Sequence, residues 1–151
     1  MKTVLALIDL ADGSGRVAAA AVQLARRTAS RLVLLHVTEP PPVELHGVGF
    51  ARKQITGMLA VIAQRTARQL QVLGRRCARS GGRVRTEQIA GSRVAVILSR
   101  AGALRATWLV LGSHGHGAVY GLLVGSTAQA VLRRATCPVL VVPVAPRGTH
   151  S

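Results

Sequence analysis

The chain has 151 residues, a formal net charge of +15 at pH 7 and a hydrophobic content of 49%. This composition predicts one packed globular domain and excludes a disordered chain, and no apolar run reaches the ~18 residues of a membrane span. The short apolar run near the start is interrupted by Asp9, which excludes a secretory signal peptide and makes a cytoplasmic protein the expectation.

The charge is strongly one-sided. Twenty Lys and Arg stand against five Asp and Glu, and all the basic residues except Lys2 and Lys53 are arginines. Such an excess attracts polyanions through long-range fields and counterion release, although the simpler interpretation is a solvated surface. Cys77 and Cys137 are compatible with reduced thiols, since two cysteines alone define neither a disulfide framework nor a metal site.

The first predicted strand covers residues 4–8, which are apolar throughout, as in a parallel strand covered on both faces. A polar turn follows over residues 9–15, in which Asp12 or Ser14 can cap the next helix. Apolar residues at helical spacing predict the buried face of that helix: Val17, Ala21, Leu24, Ala25 and Thr28.

The second predicted strand covers residues 31–37 and is stopped by Glu39 and three prolines, which cannot pair in a sheet. Residues 39–50 are expected to form an irregular loop. A long helix is predicted over residues 51–80, in which Gly74 costs about 1 kcal/mol relative to alanine. Its buried face is predicted from a stripe at steps of three and four: Ile55, Leu59, Ile62, Thr66, Leu70, Leu73 and Cys77.

Beside that stripe, helix periodicity places a strip of arginines within an arc of about 100°: Arg65, Arg68, Arg75, Arg76 and Arg79. The simpler interpretation is a solvated helix face. The alternative is a docking surface for nucleic acid or an acidic protein. The interleaved aromatic residues that single-strand binders use for base stacking are missing.

The second half continues the alternation of strands and helices. Residues 84–89 form a third strand that is only weakly apolar, which predicts a position near an edge or an exposed end of the sheet. Gly91 and Ser92 open a helix, residues 108–111 form the fourth strand, and residues 125–134 form the last helix. The fifth strand covers residues 138–143. The chain from Val144 onward is expected to be loose, with the domain assigned to 1–144 and a flexible tail to 145–151.

This alternation predicts a single-domain, three-layer α/β/α sandwich around a five-stranded parallel sheet, a Rossmann-like fold with right-handed crossovers. In such folds ligands bind past the carboxyl ends of the strands, where the strand order reverses. Asp9 ends the first predicted strand and Gly112 follows the fourth, so we expect both at that edge of the sheet.

A glycine-rich segment follows the fourth strand and reads Gly-Ser-His-Gly-His-Gly from Gly112. Gly125, Ser126 and Thr127 open the last helix, where a hydroxyl can cap the first free N–H groups. Glycines allow close approach of the main chain, and a helix start presents free N–H groups, so the pattern predicts phosphate binding. It lacks the lysine of the common phosphate loop and the third glycine of the dinucleotide fingerprint. His114 and His116 make a poor zinc site without a nearby third ligand.

The spacing Gly-x2-Gly-x9-Gly-Ser-Thr, followed by Cys137-Pro138 and an apolar strand, resembles the nucleotide-binding signature of the universal stress protein family, ATP-binding branch. The resemblance covers residues 2–143 and implies a fold like that of the adenine-nucleotide alpha hydrolases. It implies that Asp9 contacts the nucleoside and that the Val37 backbone contacts adenine. It implies that the phosphates are held by Gly112, Gly115, Gly125, Ser126 and Thr127, with His114 placed near a phosphate.

The resemblance further implies a stress-response regulator or sensor that binds ATP, ADP or AMP, with little catalysis, and a homodimer formed through residues 138–143. A slow ATPase is the enzymatic alternative, although no general base lies beside a nucleophile in the sequence. Magnesium would need Asp9 or Asp12, or water and phosphate oxygens alone. Many relatives carry Ser two residues after the first-strand Asp, where this chain has Ala11.

Overall fold

The computed structural model describes residues 1–40, 49–113 and 124–144. Within these ranges strands and helices alternate as the sequence predicts: β1 (Thr3–Leu7), α1 (Ser14–Arg27), β2 (Arg31–Thr38), α2 (Gly49–Arg79), β3 (Val84–Ala90), α3 (Arg93–Ala103), β4 (Trp108–Gly112), α4 (Ser126–Arg134) and β5 (Val139–Val142). No helix in this part of the chain is both long and apolar enough to cross a bilayer.

The strands form one sheet in the order β3-β2-β1-β4-β5, and all neighbouring strands are parallel. This confirms the predicted five-stranded parallel sheet and the edge position of β3. The strand order reverses between β1 and β4, because the chain first builds outward to β3 and then returns to the other side of β1. We call the end of the sheet where the strands finish the carboxyl edge, and the end where they begin the amino edge.

Two apolar layers cover the sheet because successive strand residues point to opposite faces. On one face, Val4 and Ala6 of β1 pack with the buried residues of α1 and with Leu70 of α2. On the other face, Leu5 packs with Ile97 of α3 and with α4. The central strands are therefore apolar on both sides, as expected for a parallel sheet between two helix layers.

Helix α2 overhangs the sheet, and the prediction that its whole apolar stripe is buried is wrong. Leu70 is 2% exposed, whereas Leu59 and Ile62 are 39% and 56% exposed. A helix of 31 residues is about 46 Å long at 1.5 Å per residue, much longer than any of the strands. Near the end of β3, Gln88 Nε2 donates to the Ala63 carbonyl (3.2 Å), so the helix before Ala63 extends beyond that strand.

Gly74 has a packing role in α2. A Cβ built at this position would lie 2.5 Å from Cγ2 of Thr86 on β3, a separation that real side chains do not tolerate. The absence of a side chain thus lets α2 lie close against β3.

Three local expectations are corrected. Neither Asp12 nor Ser14 caps α1, because its N-cap residue is Gly13 and no side chain bonds there. The hydroxyls of Ser126 and Thr127 likewise do not cap α4, whose N-cap is Gly125.

The third correction concerns Val144, which does not belong to a loose tail. It is 8% exposed, and its N–H donates to the buried hydroxyl of Ser113 (3.0 Å). The predicted tail over 145–151 lies outside the described residues.

Candidate functional site

The carboxylate of Asp9 is fixed at the carboxyl edge, immediately beyond β1. Its Oδ1 accepts a hydrogen bond from the Ala11 N–H (3.0 Å) and another from the Ser14 hydroxyl (2.8 Å). Ser14 is 6% exposed, so this donor is held in place by burial at the start of α1. Between these residues Leu10 adopts a φ of 60°, a left-handed conformation that turns the chain sharply from strand to helix. The carboxylate is thereby oriented before any ligand arrives.

The backbone of Val37 faces the end of β1. In β2, Leu32 donates its N–H to Arg83 and Thr38 accepts from Gly91, so even-numbered residues bond towards β3. Odd-numbered residues bond towards β1, as the Leu35 carbonyl does when it accepts from the Ile8 N–H (2.8 Å). The N–H and C=O of Val37 therefore point to a position beyond the last rung of the β1–β2 ladder.

A histidine keeps that backbone position open. In a regular parallel ladder the next acceptor for the Val37 N–H is the Ile8 carbonyl. Instead, His36 Nδ1–H donates to the Ile8 carbonyl (2.7 Å). Among described residues, Val37 then has no main-chain hydrogen bond through either its N–H or its C=O. A donor and an acceptor on one residue can recognise a base edge, while the Val37 side chain stays buried in the core.

The two predicted glycine corners come together in space. Gly112 ends β4 opposite Val142, and the next residue, Ser113, donates its N–H to the Val142 carbonyl (2.8 Å). The Ser113 carbonyl accepts from the N–H of Gly125 at 2.6 Å. The end of β4 and the start of α4 are therefore directly hydrogen-bonded, although twelve positions separate the two residues in the sequence.

The first turn of α4 offers unsatisfied N–H groups at this junction. The first intrahelical bond runs from Gln129 N–H to the Gly125 carbonyl, which leaves the amides of Ser126, Thr127 and Ala128 without a helical acceptor. Among the residues that the structure describes, no side chain caps the helix, and its first turn carries no acidic residue. Within that part of the chain nothing opposes the partial positive charge of the helix start, which is the arrangement that favours a bound anion.

These groups lie on three adjacent strands. Val37 is the residue before the last in β2, Asp9 follows β1, and the Ser113–Gly125 contact lies at the end of β4, with β1 in the middle. Two strand spacings give a width of about 10 Å, enough for a base and sugar laid across the edge. Of the sequence-predicted residues, Asp9, Gly112 and Gly125 lie at the reversal of strand order between β1 and β4, where ligands bind in such folds, and Val37 lies on β2, the strand next to β1.

His114 and Gly115, which the sequence places in the phosphate loop, lie outside the described residues. Ser126 is exposed and Thr127 is partly buried, both at the start of α4. Within the described ranges, no group of three or more His, Cys, Asp and Glu side chains could hold a metal ion.

Sequence reasoning missed three supporting residues: Ser14, His36 and Ser113. Ser14 was considered only as a helix cap, because its bond to the carboxylate five residues earlier depends on the turn at Leu10. The roles of His36 and Ser113 arise from hydrogen bonds to residues distant in sequence, which residue spacing does not reveal.

Comparisons with known proteins agree with this architecture. A sequence model of the universal stress protein family matches residues 1–143. A curated relative from Thermus aquaticus, described as a universal stress protein in the QAH/OAS sulfhydrylase 3′ region, is 33% identical over 142 residues. That alignment covers 93% of this chain and 98% of the relative.

Solved structures also share the fold. The universal stress protein UspA from Lactobacillus plantarum superposes with a TM-score of 0.81 at 22% identity, covering 93% of this chain and 97% of its own. A universal stress protein in complex with cAMP gives a TM-score of 0.69 at 23% identity, covering 95% and 98%. At such identities these structures establish the common fold.

Proposed function

The chain belongs to the universal stress protein family, and from that premise we propose that its carboxyl edge binds an adenine nucleotide, ATP, ADP or AMP, as the signal of a stress-response regulator. In this proposal the N–H and C=O of Val37 bind the adenine edge. Asp9 accepts from ribose hydroxyls, and Ser126 and Thr127 hold phosphate oxygens through their amides and hydroxyls, with Gly112, His114 and Gly115 completing the loop.

The observation that carries the proposal is the uncapped start of α4, held against the end of β4 by the Gly125–Ser113 hydrogen bond. Most helices satisfy their first amides with a Ser, Thr, Asp or Asn cap. Here glycine occupies the cap position, and a ligand anion can take the place of the missing side chain. The nucleotide complex of a structural neighbour is consistent with this use of the fold.

Binding is tested by calorimetric titration with ATP, ADP, AMP and adenosine, each with and without magnesium, in about 0.3 M salt so that diffuse attraction to the +15 charge is screened. We expect saturable binding of the adenine compounds and weaker binding of GTP. A flat response at millimolar nucleotide contradicts the proposal.

The decisive variant is Gly125→Asp, with Gly125→Ala as its matched control. Gly125 has φ −66° and ψ 163°, an extended conformation that both replacements adopt without strain. The aspartate can cap the amides itself and repel phosphate, whereas the alanine adds only a methyl group. We expect Gly125→Asp to weaken nucleotide binding about 100-fold relative to Gly125→Ala while keeping adenosine binding and thermal stability. Equal affinities in the two variants would place the phosphates elsewhere.

Asp9→Asn separates the sugar contact from the phosphate contact. The amide oxygen can still accept from Ala11 and Ser14, but the anionic acceptor for ribose is lost. All adenosine compounds, including adenosine itself, should bind about tenfold more weakly. Hydrolysis of ATP above the buffer rate that disappears in this variant would make the protein a slow ATPase instead of a binding protein.

We also propose that the chain forms a homodimer through residues 138–143. β5 is an edge strand of the sheet. The Pro138 and Val142 carbonyls accept from β4, so the main-chain groups of Val139 and Val141 point outward. Such an unpaired apolar edge is suited to pairing with a second copy. Light scattering at tens of micromolar protein should give the dimer mass, and a monomer mass contradicts this assembly.

A further inference from the structure

The parallel topology gathers basic residues at the amino edge, opposite the nucleotide site. All four helices end at this edge, because each one leads into a strand that begins there. The last turns of α1, α2 and α4 each carry two arginines, and all six are exposed: Arg26, Arg27, Arg76, Arg79, Arg133 and Arg134.

The segments that lead into strands add to this charge. Lys2 precedes β1, Arg83 precedes β3 and Arg105 precedes β4, and all three are exposed. We call these three residues, together with the six helix-end arginines, the basic edge.

Carboxylates lie elsewhere in the described part of the chain. Asp9, Asp12 and Glu39 follow strands at the carboxyl edge. Glu87 lies within β3 and is held by Arg100, whose Nε and Nη2 donate to it at 2.5 and 2.7 Å. The basic edge therefore has no described acid to neutralise it.

The basic edge has more cations than are needed to balance the negative ends of the helix dipoles. Each helix end carries about half a negative charge, and one or two cations nearby suffice to complement it. Four helix ends thus amount to about two negative charges, far fewer than the cations of the basic edge. The remaining positive charge faces solvent, which indicates a surface for an external polyanion.

The basic residues at this edge lie on both helix layers of the sheet. Arg26 at the end of α1 and Arg83 before β3 line the same cavity, together with the exposed Gly81 and Gly82. Arg133 and Arg134 lie on the opposite face of the sheet, at the end of α4. Five strands span about 19 Å, close to the width of a nucleic-acid duplex.

We propose that the basic edge binds the phosphate backbone of double-stranded DNA, independently of base sequence. Arginine guanidinium groups match phosphate oxygens in pairs, and an edge with many exposed cations suits a ligand that carries many negative charges along its length. An acidic protein would instead need a buried apolar anchor. The exposed apolar residues cluster on the overhanging half of α2 at the other end of the molecule, at Met58, Leu59, Val61 and Ile62.

The test is fluorescence anisotropy of a labelled DNA duplex of about 20 base pairs, titrated from about 50 to about 300 mM salt. The variant Arg26→Gln/Arg79→Gln/Arg83→Gln removes three charges from the basic edge. The control Arg52→Gln/Lys53→Gln/Arg65→Gln removes the same charge from exposed positions in the first half of α2. All six side chains are exposed, so both variants should fold, which their melting temperatures verify.

We expect the basic-edge variant to bind DNA at least tenfold more weakly at about 0.1 M salt, and the slope of log K against log salt to fall by about 3. The control should change affinity less than about threefold. Equal losses in both variants, or no binding at about 50 mM salt, would overturn the proposal. Displacement of the DNA by poly-glutamate at equal charge concentration would also overturn it, in favour of an acidic protein partner. The nucleotide titrations concern the carboxyl edge, so the DNA proposal can fail while the proposed nucleotide function holds, and the reverse is also true.

Discussion

The two edges of the sheet are built from the same elements but expose different groups. At the carboxyl edge, strands end and helices begin, so main-chain N–H groups are left free and α4 starts without a side-chain cap. At the amino edge, helices end, and the last turns of α1, α2 and α4 carry exposed arginines. In our proposals, one edge binds an anion through its backbone and the other binds one through its side chains. The comparison teaches that a parallel α/β topology separates free helix starts from basic helix ends, and so provides two distinct candidate surfaces for anions.

The difference extends to how helix termini are closed. At the amino edge, α1 and α3 end in a left-handed residue, Ala29 (φ 49°) and Arg105 (φ 47°). In each case the N–H of the following residue donates to the carbonyl five residues earlier, from Ser30 to Ala25 and from Ala106 to Ala101. The helix ends are therefore internally satisfied, and the arginines there are free to serve a partner. The α4 start at the opposite edge has no comparable internal closure.

The prediction with the larger expected effect on stability concerns a substitution that removes a charge outside both proposed binding surfaces. The Glu87–Arg100 pair lies within the sheet and its covering helix, and the bond to Arg100 holds the pKa of Glu87 below its ordinary value. Glu87→Gln should lower the free energy of unfolding by about 1–2 kcal/mol at pH 7, measured by urea denaturation. Nucleotide and DNA binding should both remain unchanged.

The pH dependence of that loss has a defined sign. Because the folded pKa is the lower one, the stabilisation from Glu87 is fully present above the ordinary glutamate pKa of about 4.3 and disappears as pH falls through the folded value. The difference in the free energy of unfolding between wild type and Glu87→Gln should therefore decrease as the pH falls below about 4. A difference in unfolding free energy that stays constant down to pH 3 would show that altered packing, and not the lost ion pair, destabilises Glu87→Gln.

A smaller prediction separates backbone geometry from charge at the amino edge. Ala29→Gly relieves the left-handed strain and should raise the free energy of unfolding by about 0.5–1 kcal/mol. Its control, Ala19→Gly at an exposed position inside α1, should lower it by about as much. DNA affinity should be unaffected by either change. Weaker DNA binding by Ala29→Gly would mean that cap geometry, and not arginine charge, forms the surface.

Much of the fold follows from sequence pattern alone. Apolar runs bounded by glycine and proline located the strands, and the weak apolarity of residues 84–89 correctly placed β3 at an edge. Asp9 and Gly112 could be assigned to one end of the sheet because parallel strands finish together. Local periodicity did not reveal that half of α2 overhangs the sheet, since the exposed Ile62 has the same spacing as the buried Leu70.

The finer geometry of the site could not be predicted from the sequence, for a related reason. The open Val37 backbone depends on His36 occupying the Ile8 carbonyl, and the closed glycine corners depend on one bond between Ser113 and Gly125. Both are contacts between segments far apart in the chain. The charge asymmetry was visible as a total, but its concentration at one edge appears only when helix ends and strand starts are placed together.

The separation of the two edges is tested most directly by amide NMR of the labelled protein during titration with AMP and, separately, with duplex DNA. AMP should shift the amides of Val37, Ser126 and Thr127 and leave those of Arg83 and Arg105 in place, while DNA should do the reverse. AMP shifts concentrated on Arg83 and Arg105, with Val37 and Thr127 unmoved, would contradict the account.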